Sequence, residues 1–237
     1  MPIIRTNFVV PLNQLKKEDS QNQRPQTSEP RRSSETFRPL CVKAGLGAFN
    51  EGSGYAEFGN TRVVTHVLGP SSDDKWEESY AKITINLKGI DDDQVASLRA
   101  QLTSVVKAVI PANKYPGKLI AVNITVMSDD GGVLATSIAA TTLAIATSGI
   151  ESLGLLTVAN VGVDKEGQTI TDPSKEEAEK LAYGITLSLL PNLNQVACID
   201  VYGRSTKEQL KSLIEYAREK ALHLLPTLHK AVIKSVS

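Results

Sequence analysis

The sequence predicts an α+β fold, and three observations carry that prediction. Residues 37–69 break into short β-rich runs separated by glycines. Residues 80–89 then alternate cleanly, with Ile83, Ile85 and Leu87 on one side and Lys82, Thr84, Asn86 and Lys88 on the other. The C-terminal segment repeats apolar residues at helix spacing from Leu210 to Val232. Several strands adjacent in sequence, mixed with helices, fit α+β better than strict α/β alternation.

Taken in order, residues 1–36 read as a tail. They contain Pro2, Pro11, Pro25 and Pro30 and the polar stretch KKEDSQNQRPQTSEPRRSSE, a composition that buries too little surface to order itself. Its basic residues slightly outnumber its acidic ones, which leaves two readings open, an RNA- or partner-binding arm and a solvated tail. The body spans 37–237. LCVKAGLGAF, SGYAEFG and TRVVTHVLG read as strands, followed by the strand at 80–89. Asp91, Asp92 and Asp93 open a helix whose apolar face is Val95, Leu98, Leu102, Val105, Val106 and Val109, and Pro111 closes it; acids at that end suit the helix dipole. Residues 118–127 form a strand. Gly131-Gly132 leads into an Ala/Thr/Ser helix that ends near Gly149. Residues 155–163 are a strand, and 174–182 a short charged helix with Asp172 as its cap and Pro173 at its start. GITLSLL and QVACIDVYG are strands. Ser205-Thr206-Lys207-Glu208 reads as a capping box opening the last helix, which Pro226 should kink or break.

Composition narrows the function. The chain has 237 residues, formal net charge zero and two cysteines. Zero net charge excludes a protein that coats nucleic acid by bulk charge, so any RNA role rests on a local patch or a larger assembly. Cys41 and Cys198 make neither a disulfide framework nor a metal cluster; they read as core thiols and fit a reducing, intracellular setting. The apolar stretch before Pro11 is too short for a signal-peptide core. The uncharged run 131–150 is rich in Gly, Ser and Thr and reads as a buried helix, not a membrane span.

Chemistry is sparse in the residues themselves. Asp129-Asp130-Gly131-Gly132 stands between a strand and a helix, where glycines and helix amides can meet a phosphate. Yet no Lys or Arg lies between Lys118 and Lys165, and neither GxxxxGK[ST] nor GxGxxG occurs. His66 lies in an apolar strand and reads as a core or interface residue. His223 and His229, six apart, do not share a helix face. No Ser/His/Asp or HExxH arrangement is present. Basic clusters at Arg99, Lys107, Lys114 and Lys118, and again along residues 204–237, either touch RNA or form solvated helix faces.

The run RPLCVKAGLGAFNEGSGYAEFGNTRVVTHVLGP, residues 38–70, resembles the opening of the RNase PH family. Tyr115-Pro116, Asp130-Gly131-Gly132, the small-residue helix and PNLNQV at 191–196 follow in the family's order, so the resemblance covers about residues 37–235. It implies an RNase PH-like domain of the ribosomal protein S5 domain 2-like fold, assembling into six-membered rings around an RNA channel. Active members trim RNA 3′ ends by phosphorolysis. Three sites that the resemblance marks as functional are altered here. The phosphate-holding residues after the loop glycine are Val133 and Leu134; the position of the acid, about seven residues before PNLNQV, is Gly184; and Asp91-Asp92-Asp93-Gln94 replaces the paired RNA-gripping arginines. An aliphatic side chain cannot pair with a phosphate dianion.

Residues 171–197 are similar to the matching segment of a non-catalytic ring subunit of the eukaryotic RNA exosome, of the mRNA transport regulator type. The short acidic connection at 71–79 departs from longer versions. The resemblance therefore implies a structural ring subunit, without catalytic residues, cofactor or metal. Its partners would be five other RNase PH-like subunits, S1/KH cap subunits, a hydrolytic exoribonuclease and single-stranded RNA, with no membrane, in the nucleus, nucleolus and cytoplasm. Lys82, Lys88 and Arg99 are candidate guides for the RNA backbone. The alternative is an active phosphate-dependent exoribonuclease working as a homo-oligomer.

Overall fold

Two sheets with helices packed between and beside them make up the body. The computed structural model describes residues 34–46, 52–72 and 78–236. Residues 1–33 of the tail and most of the acidic connection at 71–79 lie outside the described residues.

The first sheet holds β1 (Leu40–Ala44), β2 (Gly52–Phe58), β3 (Thr61–Ser72), β4 (Lys82–Lys88) and β5 (Lys118–Ser128), in the order β1-β2-β3-β5-β4. Its pairs are antiparallel except β4 with β5, which run parallel and are joined by the crossover helix α1 (Asp92–Val109). The alternation legible in β4 sends Ile85 into the core while Asn86 and Lys88 stay exposed. From α1, Leu98, Leu102, Val105, Val106 and Val109 meet that face. A fully buried leucine such as Leu102 contributes roughly 1.5–3 kcal/mol.

Helix α2 (Val133–Thr147) is buried at every residue from Leu134 to Ile145, as a helix apolar on all sides must be. It lies against β2 and β3 on one side and β6 on the other. Close approach is what its small residues permit. A Cβ placed on Gly54 of β2 would stand 2.1 Å from the Ala140 carbonyl oxygen. Buried hydroxyls in α2 also tie it to its neighbours; Thr142 Oγ1, for instance, accepts from the Leu156 N–H at 2.9 Å. Among the described residues no helix is long and apolar enough to cross a membrane.

The second sheet, β7-β6-β8-β9, is antiparallel throughout: β6 (Thr157–Asp164), β7 (Thr169–Thr171), β8 (Leu181–Leu190) and β9 (Gln195–Gly203). The N-terminal half of α4 (Lys207–Val236) covers it through Leu213, Ala217 and Ala221; its later residues Leu224 and Leu228 join the first core.

Several expectations are corrected. The helix after Pro173 is only one turn, α3 (Lys175–Ala178), and β8 begins at Leu181. Its cap is Ser174, not Asp172: Ser174 Oγ accepts from the Glu177 N–H, and the Glu177 carboxylate accepts from the Ser174 N–H. The capping box of α4 is shifted by one residue, with Thr206 and Gln209 exchanging bonds. Pro226 does not break α4. It sits on the exposed side, where the Leu222 carbonyl that loses its donor can bond water, while Leu224 and Leu228 hold the helix on both sides of it. Cys41 and Cys198 are half-buried, because β1 and β9 are terminal strands. His66 is likewise half-buried, on the face of β3 opposite the buried Thr65 and Val67.

Candidate active-site cleft

The loop 129–132 is held in place by a buried ion pair that joins the start of the body to the end of β7. Arg38 precedes β1, and its side chain is 5% exposed; Asp172, 1% exposed, follows β7 with a left-handed backbone at φ 52°. Arg38 Nε and Nη2 reach the two Asp172 carboxylate oxygens at 2.8 Å each, a bidentate fork. The remaining guanidinium donors go to the loop: Nη1 to the Asp130 carbonyl at 2.7 Å and Nη2 to the Gly131 carbonyl at 3.0 Å. Thr61 Oγ1 also donates to the Gly131 carbonyl, at 2.6 Å, and accepts from the Asp130 N–H at 2.9 Å. The loop needs its glycines: Gly131 and Gly132 have φ of 86° and 72°, which disfavours other residues.

This arrangement leaves little for an anion. The loop turns two carbonyls toward Arg38, and the Gly131 N–H donates to the carboxylate of its own neighbour Asp129 at 2.9 Å. A bond to the backbone two residues on is a habit of aspartate in turns. The cleft above the loop has a volume of about 470 Å3. Asp93, Asp129 and Asp200 line it together with Val133 and Leu134, and among its lining residues Lys175 is the one cation. Three carboxylates against one ammonium repel phosphate instead of gathering it.

Gly184 lies on β8 directly opposite Tyr202 of β9. A Cβ at Gly184 would stand 2.3 Å from both Cζ and Oη of Tyr202, so the tyrosine ring fills the room a side chain there would need. Burial, then the charge of Asp200, pushes the Tyr202 hydroxyl up to about 12. The same two influences raise the Cys198 thiol.

The basic candidates do not converge. Lys82 and Lys88 project from the face of β4 opposite Ile85, about 20 Å apart along the strand. Arg99 is exposed on α1, which packs on the other face of the sheet. Among the described residues no group of three or more His, Cys, Asp or Glu is arranged to hold a metal ion.

Sequence reasoning missed the Arg38–Asp172 pair and the part of Tyr202. The two charges are 134 positions apart. Nothing local marks Asp172 for this pair, because its place before Pro173 reads as a helix cap.

Residues 36–151 match the 3′ exoribonuclease family, domain 1, the RNase PH domain. The chain carries an RNase PH domain. The exosome complex component ski6 of Schizosaccharomyces pombe is 26% identical over 214 residues, covering 84% of this chain and 88% of that one. The human exosome complex component MTR3 is 25% identical over an alignment of 244 residues, covering 89% of this chain and 86% of that one. The crystal structure of rice (Oryza sativa) Rrp46 superposes with a TM-score of 0.78 at 21% identity, covering 85% of this chain and 98% of that one. That likeness establishes the RNase PH fold, with its two sheets and long C-terminal helix.

Proposed function

We propose that this chain is a non-catalytic structural subunit of an RNA exosome ring, supporting 3′-to-5′ RNA processing carried out by an associated hydrolytic nuclease. The observation that carries this reading is Tyr202 over Gly184. The position where the family resemblance places an acid has no side chain, and its space is taken. The loop supports the same reading, because its carbonyls are committed to Arg38, its Gly131 amide to Asp129, and Val133 and Leu134 follow it.

A ring role needs interfaces. Terminal strand β9 leaves Val196, Ile199 and Val201 exposed at 52%, 48% and 44%. An apolar strand edge invites pairing with another chain, and a neighbouring RNase PH-like subunit would cover it. In this reading the partners are five such subunits, S1/KH cap subunits, the nuclease and single-stranded RNA, in the nucleus, nucleolus and cytoplasm. Lys82 and Lys88 would guide RNA phosphates on one face, and Arg99 would do so separately.

Affinity purification of the tagged chain from its own cells, with mass spectrometry at moderate salt, tests the assignment. Near-equal recovery of RNase PH-like and S1/KH subunits is expected. Recovery of the chain alone as a homo-oligomer overturns it.

A further inference from the structure

We propose that the groove between β1 and the last turns of α4 receives an extended acidic segment of a partner protein, added as a strand to the edge of the first sheet. The proposal rests on hydrogen-bond geometry, charge and spacing, and is independent of the catalytic reading.

Among the described residues the outer strand edge is unpaired, and β1 pairs only with β2. The Pro39 carbonyl accepts from the Gly59 N–H at 2.9 Å, and the Gly45 N–H donates to the Ser53 carbonyl at 2.8 Å. In an antiparallel pair, residues that turn both backbone groups to the partner strand recur at every second position. Residues 39, 41, 43 and 45 therefore face β2, and Leu40, Val42 and Ala44 present their N–H and C=O groups to the groove.

The groove, about 650 Å3, runs along that edge. Leu40, Val42 and Ala231 give it aliphatic surface; Lys43, Lys230 and Lys234 charge it; no Asp or Glu lines it. Glu57 does feel the charge of Lys43, but its carboxylate is bound by Tyr55 and Arg62. Among the described residues none of the three lysines has a carboxylate within ion-pair distance. Lys230 and Lys234 stand one helical turn apart, a rise of about 6 Å, close to the roughly 7 Å between alternate side chains of a strand. An added strand with acids at every second position matches both the open backbone and the two lysines. No aromatic side chain lines the groove for bases to stack on, which favours peptide over single-stranded RNA. The chain's own residues 1–33, richer in basic than acidic residues, lack the complementary charge.

The test uses the full chain and a fluorescein-labelled heptapeptide in which valine alternates with glutamate and aspartate. Fluorescence anisotropy should show saturable binding, weakened roughly tenfold or more by Lys230→Glu with Lys234→Glu, and similarly by proline at the peptide's centre. These lysines are exposed, so the variant keeps its fold, which circular dichroism checks. Amide hydrogen exchange should slow at Leu40, Val42 and Ala44 when the peptide binds. The proposal is overturned by absence of saturable binding up to about 1 mM, or by binding indifferent to charge reversal or to proline. Displacement by oligouridylate, or binding seen only after residues 1–33 are removed, overturns it as well.

Discussion

Tyr202 lies across Gly184 on the neighbouring strand, so close that a Cβ added at Gly184 would stand 2.3 Å from its Cζ and Oη. The obstacle is the far end of a side chain at a sheet edge, and it can swing aside at a cost. Gly184→Ala should therefore destabilise by about 1–3 kcal/mol in urea unfolding, and by clearly less when Tyr202→Ala is already present. Equal costs in the two backgrounds would show that the ring does not occupy that space.

The Arg38–Asp172 pair should behave as a buried charge pair does. Removing one partner by Arg38→Met or Asp172→Asn leaves the other buried and unanswered, with an expected loss of about 3–5 kcal/mol. Changing both should cost less than the sum of the two single changes. Urea midpoints at matched slopes check both statements.

Gly54 offers a contrast free of backbone strain. Its φ is not in the left-handed region, and the obstacle to a side chain is backbone, the Ala140 carbonyl at 2.1 Å. Gly54→Ala should cost roughly 2 kcal/mol or more, because β2 and α2 must move apart. Differential scanning calorimetry would register it as a lowered Tm.

Two of the six tyrosines should ionise late. Tyr55 is raised to about 12 by burial and by its hydrogen bond to Glu57; Tyr202 is raised to about 12 by burial and by Asp200. Raised folded-state values favour the protonated form in the native protein. Their contribution to stability is complete below about pH 10 and is lost as pH rises through about 12. Glu57 has the opposite sign: the Tyr55 hydroxyl bond lowers its pKa, so its contribution is lost on acidification. Phenolate absorbance during alkaline titration should lose one late-ionising group in Tyr202→Phe and another in Tyr55→Phe.

Much of the scaffold was legible because periodicity is local. The alternation of Ile83, Ile85 and Leu87 gave β4, and the spacing of Leu98, Leu102, Val105 and Val109 gave α1. The Ala/Thr/Ser run read as a buried helix, and α2 is buried from Leu134 to Ile145. What failed depends on contacts distant in sequence or on competition between neighbours. Asp172 has the look of a helix cap, yet Ser174 takes that part and Asp172 turns inward to Arg38. Nothing near Gly184 announces that a tyrosine from the next strand will cover it. The three basic candidates could not be sorted without the sheet, whose two faces part Lys82 and Lys88 from Arg99.

The measurement that tests the central claim most directly is phosphate-dependent release of nucleoside diphosphates from labelled single-stranded RNA by the purified chain. The account predicts none above a control without phosphate. Clear release that requires phosphate would contradict it, because a cleft with Tyr202 over Gly184 and carboxylates about its loop would then be doing phosphorolysis.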